Sequence, residues 1–404
     1  MKNRRLLRYM LALYIASAVL ISYMPWGADI SQGIGIILAF VFTAEFLVRQ
    51  RRLSLPRELI LFSLFFVYTL AGGFIAYDYE VFVLSEFTLF QLLMLTVISY
   101  NIMLYQSAIT LAMKSFVAAA AVAGILAVAG VNFSNSGRLT STLGNPNIYG
   151  LTLLFAITMS IYLYIQSSSK REKLLYTLFI PFSVYQIILT GSRKAIIGLF
   201  SFVVIAFALY VRSRSRYRPG RVFLSILILG GMLVGSGYML VHSKFYKRLE
   251  YLEKVLATRD IEAGGGSIKE RIEFYIAAYA TWRDHPLFGV GTNQFRFYTS
   301  DYVPGLRSTY AHSNFMEILA DFGIVGFILY YSIYIAIFHD FYKLKKIKLY
   351  NKDQLSVYVL LALIVVYVIS ELAWVSYSEK ITWIVLSIII AQIRNMYRKY
   401  RMSG

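Results

Sequence analysis

NIYGLTLLFAITMSIYLYIQ, residues 147–166, runs for twenty positions without one charged side chain. At about 1.5 Å per residue such a stretch makes a helix of roughly 30 Å, the thickness of a bilayer's hydrocarbon core. On its C-terminal side the chain turns basic in SSSKREK, 167–173, and on its N-terminal side lies GRLTSTLGNP, 137–146. An apolar span flanked by one basic and one nearly uncharged connection is the unit from which the rest of the chain is built.

That unit recurs. Apolar stretches lie at about 6–25, 29–48, 58–77, 82–102, 107–130, 147–166, 174–190, 194–211, 222–242, 314–338, 355–375 and 381–395. They predict an all-α polytopic integral membrane protein of about 12 transmembrane helices. The composition agrees: 58% of residues are hydrophobic and 15% charged, against about 25% charged in soluble domains. Basic residues crowd into alternate connections. Arg49, Arg51, Arg52 and Arg57 follow the second span, and Lys170, Arg171 and Lys173 the sixth. Arg212, Arg214, Arg216, Arg218 and Arg221 follow the eighth, Lys343 to Lys352 the tenth, and Arg394 to Arg401 the last. The positive-inside rule then puts both termini in the cytoplasm, with MKNRRLLRYMLALYIASAVL read as an uncleaved first helix. Connections 131–146, 190–193 and 243–313 emerge on the outer face. The domain reading is 1–242 for helices 1–9, 243–313 for a large extracytoplasmic loop subdomain, and 314–404 for helices 10–12 and a cytoplasmic tail. Within the loop, SIKERIEFYIAAYATWRDH at 267–285 has apolar residues at Ile268, Ile272, Tyr275, Ile276 and Tyr279, a helical spacing.

Several function classes drop out at this level. The net charge of +19 is spread over short runs between apolar blocks, which fits cytoplasmic loops and not a nucleic-acid surface. The chain has no cysteine, so thiol catalysis, disulfides and cysteine zinc sites are absent. The histidines show no ligand spacing, and no metal site or cofactor is expected. Gly264–Gly266 lack the Walker spacing and form a joint, not a phosphate loop.

The residues that suggest chemistry gather outside. Arg193 follows Thr190–Gly191–Ser192 where one span ends and another begins; an interfacial anchor or an anion site would each explain it. Arg138 is a second outer cation, in the loop closed by Gly144, Asn145, Pro146 and Asn147. Asn-Pro marks a turn there and Asn147 suits a helix cap. Arg271 sits between Glu270 and Glu273 on the loop helix, as a solvated face or a third cation. His312, with Ser313 next to it, opens span 10 and is the best general base in the chain. Gly323 and Gly326 on that span suit close helix contact. Glu45, Glu86 and Glu371 lie inside spans and are costly there, so they too are candidates. Outer cations with one base fit group transfer from a lipid diphosphate, the leaving group stabilised by fixed positive charge.

Four stretches carry a resemblance. They are GRLTSTLGNPNIYG at 137–150, LTGSRKAIIGL at 189–199, ERIEFYIAAYATWRDHPLFGVGTNQF at 270–295 and HSNFMEILADFGIVG at 312–326. In order and spacing they resemble the O-antigen ligase and Wzy-type polysaccharide polymerase superfamily of bacterial envelopes, over roughly residues 130–330. His312, Ser313, Gly323 and Gly326 fit its His-[Asn/Ser/Gln]-nine residues-Gly-x-x-Gly pattern without a gap. The resemblance implies a metal-independent glycosyltransferase that takes an oligosaccharide from undecaprenyl diphosphate to an acceptor hydroxyl, a glycan or a lipid-linked acceptor. Its place would be the bacterial cytoplasmic membrane among membrane lipids, with the active site facing the periplasm or exterior. Arg193 and Arg271 would hold the diphosphate and His312 would deprotonate the acceptor. Glu270 stands where the family usually has a small residue before its second arginine. Arg138, Asn145, Asn147 and Ser313 are added as substrate-binding positions, and the cations and His312 are expected to converge on one outward cavity. The reading taken is a polysaccharide polymerase for O-antigen, capsule or exopolysaccharide. The alternative is an O-antigen ligase acting on lipid A core. A lipid-linked sugar flippase or exporter fits less well, because the cations sit on one face only.

Overall fold

The computed structural model describes residues 2–212, apart from 23, 25, 51 and 132–137, and residues 266–401. The expected span 222–242 and loop residues 243–265 lie outside the described residues. The helices are α1 (Lys2–Leu20), α2 (Gly27–Val48), α3 (Arg57–Thr69), α4 (Tyr79–Ile102), α5 (Gln106–Val128) and α6 (Pro146–Gln166). They continue as α7 (Lys170–Thr190), α8 (Arg193–Arg212), α9 (Gly266–Asp284), α10 (Asn314–Lys345), α11 (Asn351–Ser370) and α12 (Lys380–Arg401). No strand occurs among the described residues. Each expected span that falls within them coincides with a helix. Among the described residues, eight helices are long and apolar enough to cross a membrane: α2, α3 extended to Phe74, α4, α5, α6, α7, α10 and α11 extended to Ala373.

Two compact units can be distinguished, one of residues 1–116, 266–348 and 367–404, the other of residues 117–265 and 349–366. In the first, α3 and α10 pack through aromatics: Phe65 meets Phe322 edge-on at 5.2 Å and Tyr330 at 5.4 Å between ring centroids. At one end of this pair two nearly buried carboxylates, Glu58 and Asp340, meet two arginines. Arg394 Nη2 lies 3.2 Å from Glu58 and 2.9 Å from Asp340, and Arg57 Nη2 lies 3.1 Å from Asp340. Buried carboxylates are tolerated when paired in this way. Two cations that read as loop charges in the sequence are therefore anchors for acids on other helices.

Helix α10 is broken at Gly323, whose φ of +62 and ψ of −167 are not helical. A break inside an apolar helix frees backbone groups that need partners. The HPLFGVG loop, 285–291, supplies them. Ile324 N donates to Pro286 O at 2.9 Å and Val325 N to Leu287 O at 3.3 Å, while Val290 N and Gly291 N donate to Ala320 O and Asp321 O at 3.1 and 2.8 Å. A Cβ on Gly323 would lie 2.4 Å from the Leu287 carbonyl, and one on Gly289 2.4 Å from that of Asp321. Gly323 thus serves a loop seated in a broken helix and not a helix–helix contact. Gly326 does serve one: its Cβ would meet Tyr68 of α3 at 2.9 Å. Gly323→Ala should cost about 3 kcal/mol or more through strain and overpacking together. Gly305→Ala, at a φ of +79 with nothing within 4 Å, should cost only about 1–2 kcal/mol. Thermal unfolding midpoints in detergent compare the two; equal losses would refute the seated-loop account.

In the second unit α6 is buried along nearly its whole length. Its hydroxyls bond back to their own helix, Thr152 to Ile148 O at 2.8 Å, Thr158 to Leu154 O at 3.0 Å and Ser160 to Ala156 O at 2.8 Å. That local satisfaction lets a Thr- and Ser-bearing helix stand in an apolar core. Tyr149 OH donates to Gln186 Oε1, and Gln186 Nε2 donates to Gly124 O at 3.0 Å, tying α6, α7 and α5 together beneath the 190–193 junction.

Candidate active site

The first group of candidates meets at the junction between α7 and α8. Gly191, at a φ of +57, ends α7 in the left-handed conformation, as helix C-termini favour. Ser192 then caps α8: its Oγ accepts from Ala195 N at 3.4 Å and donates to Asn147 Oδ1 at 2.9 Å. Asn145, not Asn147, caps α6, accepting from Asn147 N at 2.8 Å and Ile148 N at 3.3 Å. The shift follows from Pro146, which suits the first helical position. Arg138 Nε donates to Thr190 O at 2.7 Å, laying its side chain along the turn that Arg193 and Lys194 complete. Arg138, Asn145, Asn147 and Arg193 are therefore gathered at one turn. Its cations stand at the N-terminus of a 20-residue helix, where the helix dipole also favours an anion.

The second group lies in the other unit, around the start of α10. Helix α9 forms at 266–284 as its spacing predicts, but the buried stripe is Phe274, Ala277, Ala278 and Thr281. Ile276 and Tyr279, two of the five residues of the expected apolar face, are 51% and 53% exposed. Small alanines let the helix settle closely onto the beginning of α10, which turns the large residues outward. With Phe295, Leu306, Ala311 and Ala320 the stripe makes a small core for the 266–313 segment.

Against that core stands His312. Its φ of +59 is left-handed, a conformation that costs a non-glycine residue free energy and needs surroundings to hold it. Its ring lies edge-on to Phe274 at 5.3 Å and to Tyr310 at 4.4 Å between centroids. Arg271, one turn before Phe274, acts electrostatically on both Tyr310 and Tyr275. Burial pushes both phenols above their ordinary value, and the guanidinium pulls each back. Glu379 pushes Tyr310 further up. Arg271 and His312 thus share Tyr310 as a neighbour. Ser313 is buried and its hydroxyl faces Glu371 O at 3.4 Å. Glu270 pairs with Arg307 at 2.5 Å, and Arg307, like Arg271, acts electrostatically on Tyr310.

The intramembrane acids singled out in the sequence each have a partner. Glu45 pairs with Arg49 at 3.4 Å, and Glu86 accepts from Thr69 at 3.0 Å and from Thr292. Glu371 accepts from Tyr334 at 2.7 Å, Tyr330 at 3.3 Å and Ser376. Two acids passed over in the sequence lie on α10, the helix that His312 precedes. Glu317 and Asp321, 1% and 0% exposed, lie four residues apart on α10, and their cost in an apolar span was the signal that should have flagged them. Asp321 accepts from Asn293 N and Phe295 N, both at 2.9 Å, and so clamps the GTNQF turn to the helix.

Residues 176–331 match the family described as O-antigen ligase. That stretch takes in Arg193, Arg271, His312, Gly323 and Gly326, and leaves out Arg138, Asn145 and Asn147. The teichuronic acid biosynthesis protein TuaE of Bacillus subtilis (strain 168) is 24% identical over 229 residues. The match covers 54% of this chain and 44% of TuaE, so the chain spans less than half the length of that relative. By these two likenesses the chain is similar to the O-antigen ligase and polysaccharide polymerase superfamily, with the family match at residues 176–331.

Proposed function

We propose that the protein transfers an oligosaccharide from undecaprenyl diphosphate to an acceptor hydroxyl on the outer face of the cytoplasmic membrane, extending a polysaccharide. The observation that carries this reading is the setting of His312: an imidazole in a left-handed turn, with Arg271 acting on the same Tyr310 that its ring touches. An imidazole base together with fixed guanidinium charge suits a reaction that removes a proton from the acceptor while an anion departs. The acceptor oxygen bonds to the anomeric carbon, the bond from that carbon to the phosphate oxygen breaks, and the acceptor proton passes to His312. Undecaprenyl diphosphate leaves with the electron pair; Arg193 and Arg271 are each proposed as a cation for the diphosphate. Arg138 adds a third positive charge at the α8 turn, and Asn145 and Asn147 fix that turn's shape. Ser313 sets the backbone on the far side of His312.

The polymerase reading is supported by TuaE's role in teichuronic acid biosynthesis. The family's description as O-antigen ligase supports the second reading, transfer to lipid A core. Supplying purified, lipid-reconstituted protein with a lipid-linked oligosaccharide and measuring released undecaprenyl diphosphate tests both, since the glycan product is either lengthened or moved to core. No metal enters the scheme, so turnover should survive EDTA; loss on chelation would require a metal-assisted step.

The proposed orientation is separately testable. The alternation of basic connections predicts that reporter fusions at residues 217 and 265 lie on opposite sides, with 217 cytoplasmic. A cytoplasmic readout from both would place the His312 segment on the wrong face and sink the scheme.

A further inference from the structure

We propose that Glu317 is a positioning residue, whose buried carboxylate fixes the Ala311–His312 turn and so aims the imidazole. The inference rests on the reading of His312 as the base. The side chain of Glu317 reaches back to the turn: its Oε2 accepts from Ala311 N at 2.5 Å, while its backbone N makes the opening helical bond of α10 to Ser313 O at 2.9 Å. His312 lies between those two anchors, at a φ of +59 that Ala311 and Ser313 must jointly sustain. Nothing local in the sequence AHSN favours that conformation strongly enough to hold it alone, since a left-handed non-glycine residue costs about 1–3 kcal/mol.

The rest of the cradle agrees. Asn314 Oδ1 accepts from Ser376 N at 3.0 Å and Tyr377 N at 3.1 Å, and Asn314 N donates to Trp374 O at 3.1 Å. These bonds fix the C-terminal side of the turn, and Glu317 fixes its N-terminal side. A carboxylate in a core is expensive unless its lone pairs are used. A role in mere packing would be met more cheaply by leucine. The bond that Glu317 makes goes to the amide next to His312, so the cost of burying it is matched by control of that residue's backbone. The neighbouring Asp321 works in the same way on the GTNQF turn, so α10 uses buried acids to set the backbone of the outer segment.

The test compares Glu317→Leu, which keeps the volume and removes the acceptor, with Glu317→Gln, which keeps an acceptor oxygen at the same reach. Each is reconstituted alongside wild type and His312→Ala and checked for monodispersity and unfolding midpoint. Glu317→Leu should lower kcat about 10- to 100-fold with the donor KM unchanged, as expected for a misplaced reacting group. Glu317→Gln should recover kcat to within about fivefold. Glu317→Leu combined with His312→Ala should be no slower than His312→Ala alone, because Glu317 acts through that imidazole. A folded Glu317→Leu protein with wild-type kcat overturns the proposal, as does a Gln variant as slow as Leu or a further drop in the double variant. Wild-type turnover by His312→Ala would instead remove the base reading, an outcome visible without any Glu317 variant.

Discussion

His312→Ala is expected to lower glycan transfer about 10²- to 10⁴-fold, the usual contribution of a positioned general base. Affinity for the lipid diphosphate donor should change by less than about threefold. The asymmetry follows from where the imidazole acts. It takes the acceptor proton only as the new glycosidic bond forms, so its contribution belongs to the transition state and not to the bound donor. The ring is held for that task by Phe274 and Tyr310 and by a backbone conformation that the surroundings impose. Donor binding by equilibrium titration and single-turnover release of undecaprenyl diphosphate separate the two quantities. Wild-type turnover would exclude the base role; a large loss of donor affinity would move His312 to the diphosphate.

What was legible in the sequence followed what is local. Span positions came from runs of apolar residues, and the described helices lie on them because a chain in lipid must satisfy its backbone internally. The α9 helix was legible from its 3-4 spacing. Which side it buries was not, because that choice was made by alanines fitting α10 rather than by the larger residues whose hydropathy dominates the pattern. Asn145 took the cap expected of Asn147 because Pro146 fixes where a helix can begin. Gly323 and Gly326 read alike as small residues three apart. Only the loop 285–291, distant in sequence, makes one a break and leaves the other a contact. The same holds for Arg57 and Arg394, each a loop cation by its neighbours and an ion-pair anchor once Glu58 and Asp340 are brought to it. Glu317 and Asp321 were within reach of a local rule, the cost of acids in an apolar span, but their partners are backbone amides that carry no sequence signature.

Arg193→Ala should damage both donor affinity and turnover, and Arg193→Lys should restore only part of either. The guanidinium stands at the first position of α8, after the Thr190–Gly191–Ser192 turn, with Arg138 laid along that turn through Thr190 O. A diphosphate bound there meets charge before reaction, and meets it more strongly as the leaving oxygen becomes anionic. Removing the arginine therefore costs ground-state binding and an additional transition-state term. Loss of one such preorganised donor is typically worth about 10²- to 10³-fold in turnover. Lysine keeps the positive charge but is a point donor that cannot offer two parallel N–H groups to two phosphate oxygens. Its recovery should thus appear mainly in affinity, which charge alone supports, and less in turnover, which depends on alignment with the departing oxygen. The same assay on Arg138→Ala should show a smaller loss than Arg193→Ala, because one of its N–H groups is committed to Thr190 O. Full recovery of turnover by Arg193→Lys would reduce the arginine to a general electrostatic role. Unchanged donor affinity in Arg193→Ala would remove it from the diphosphate site.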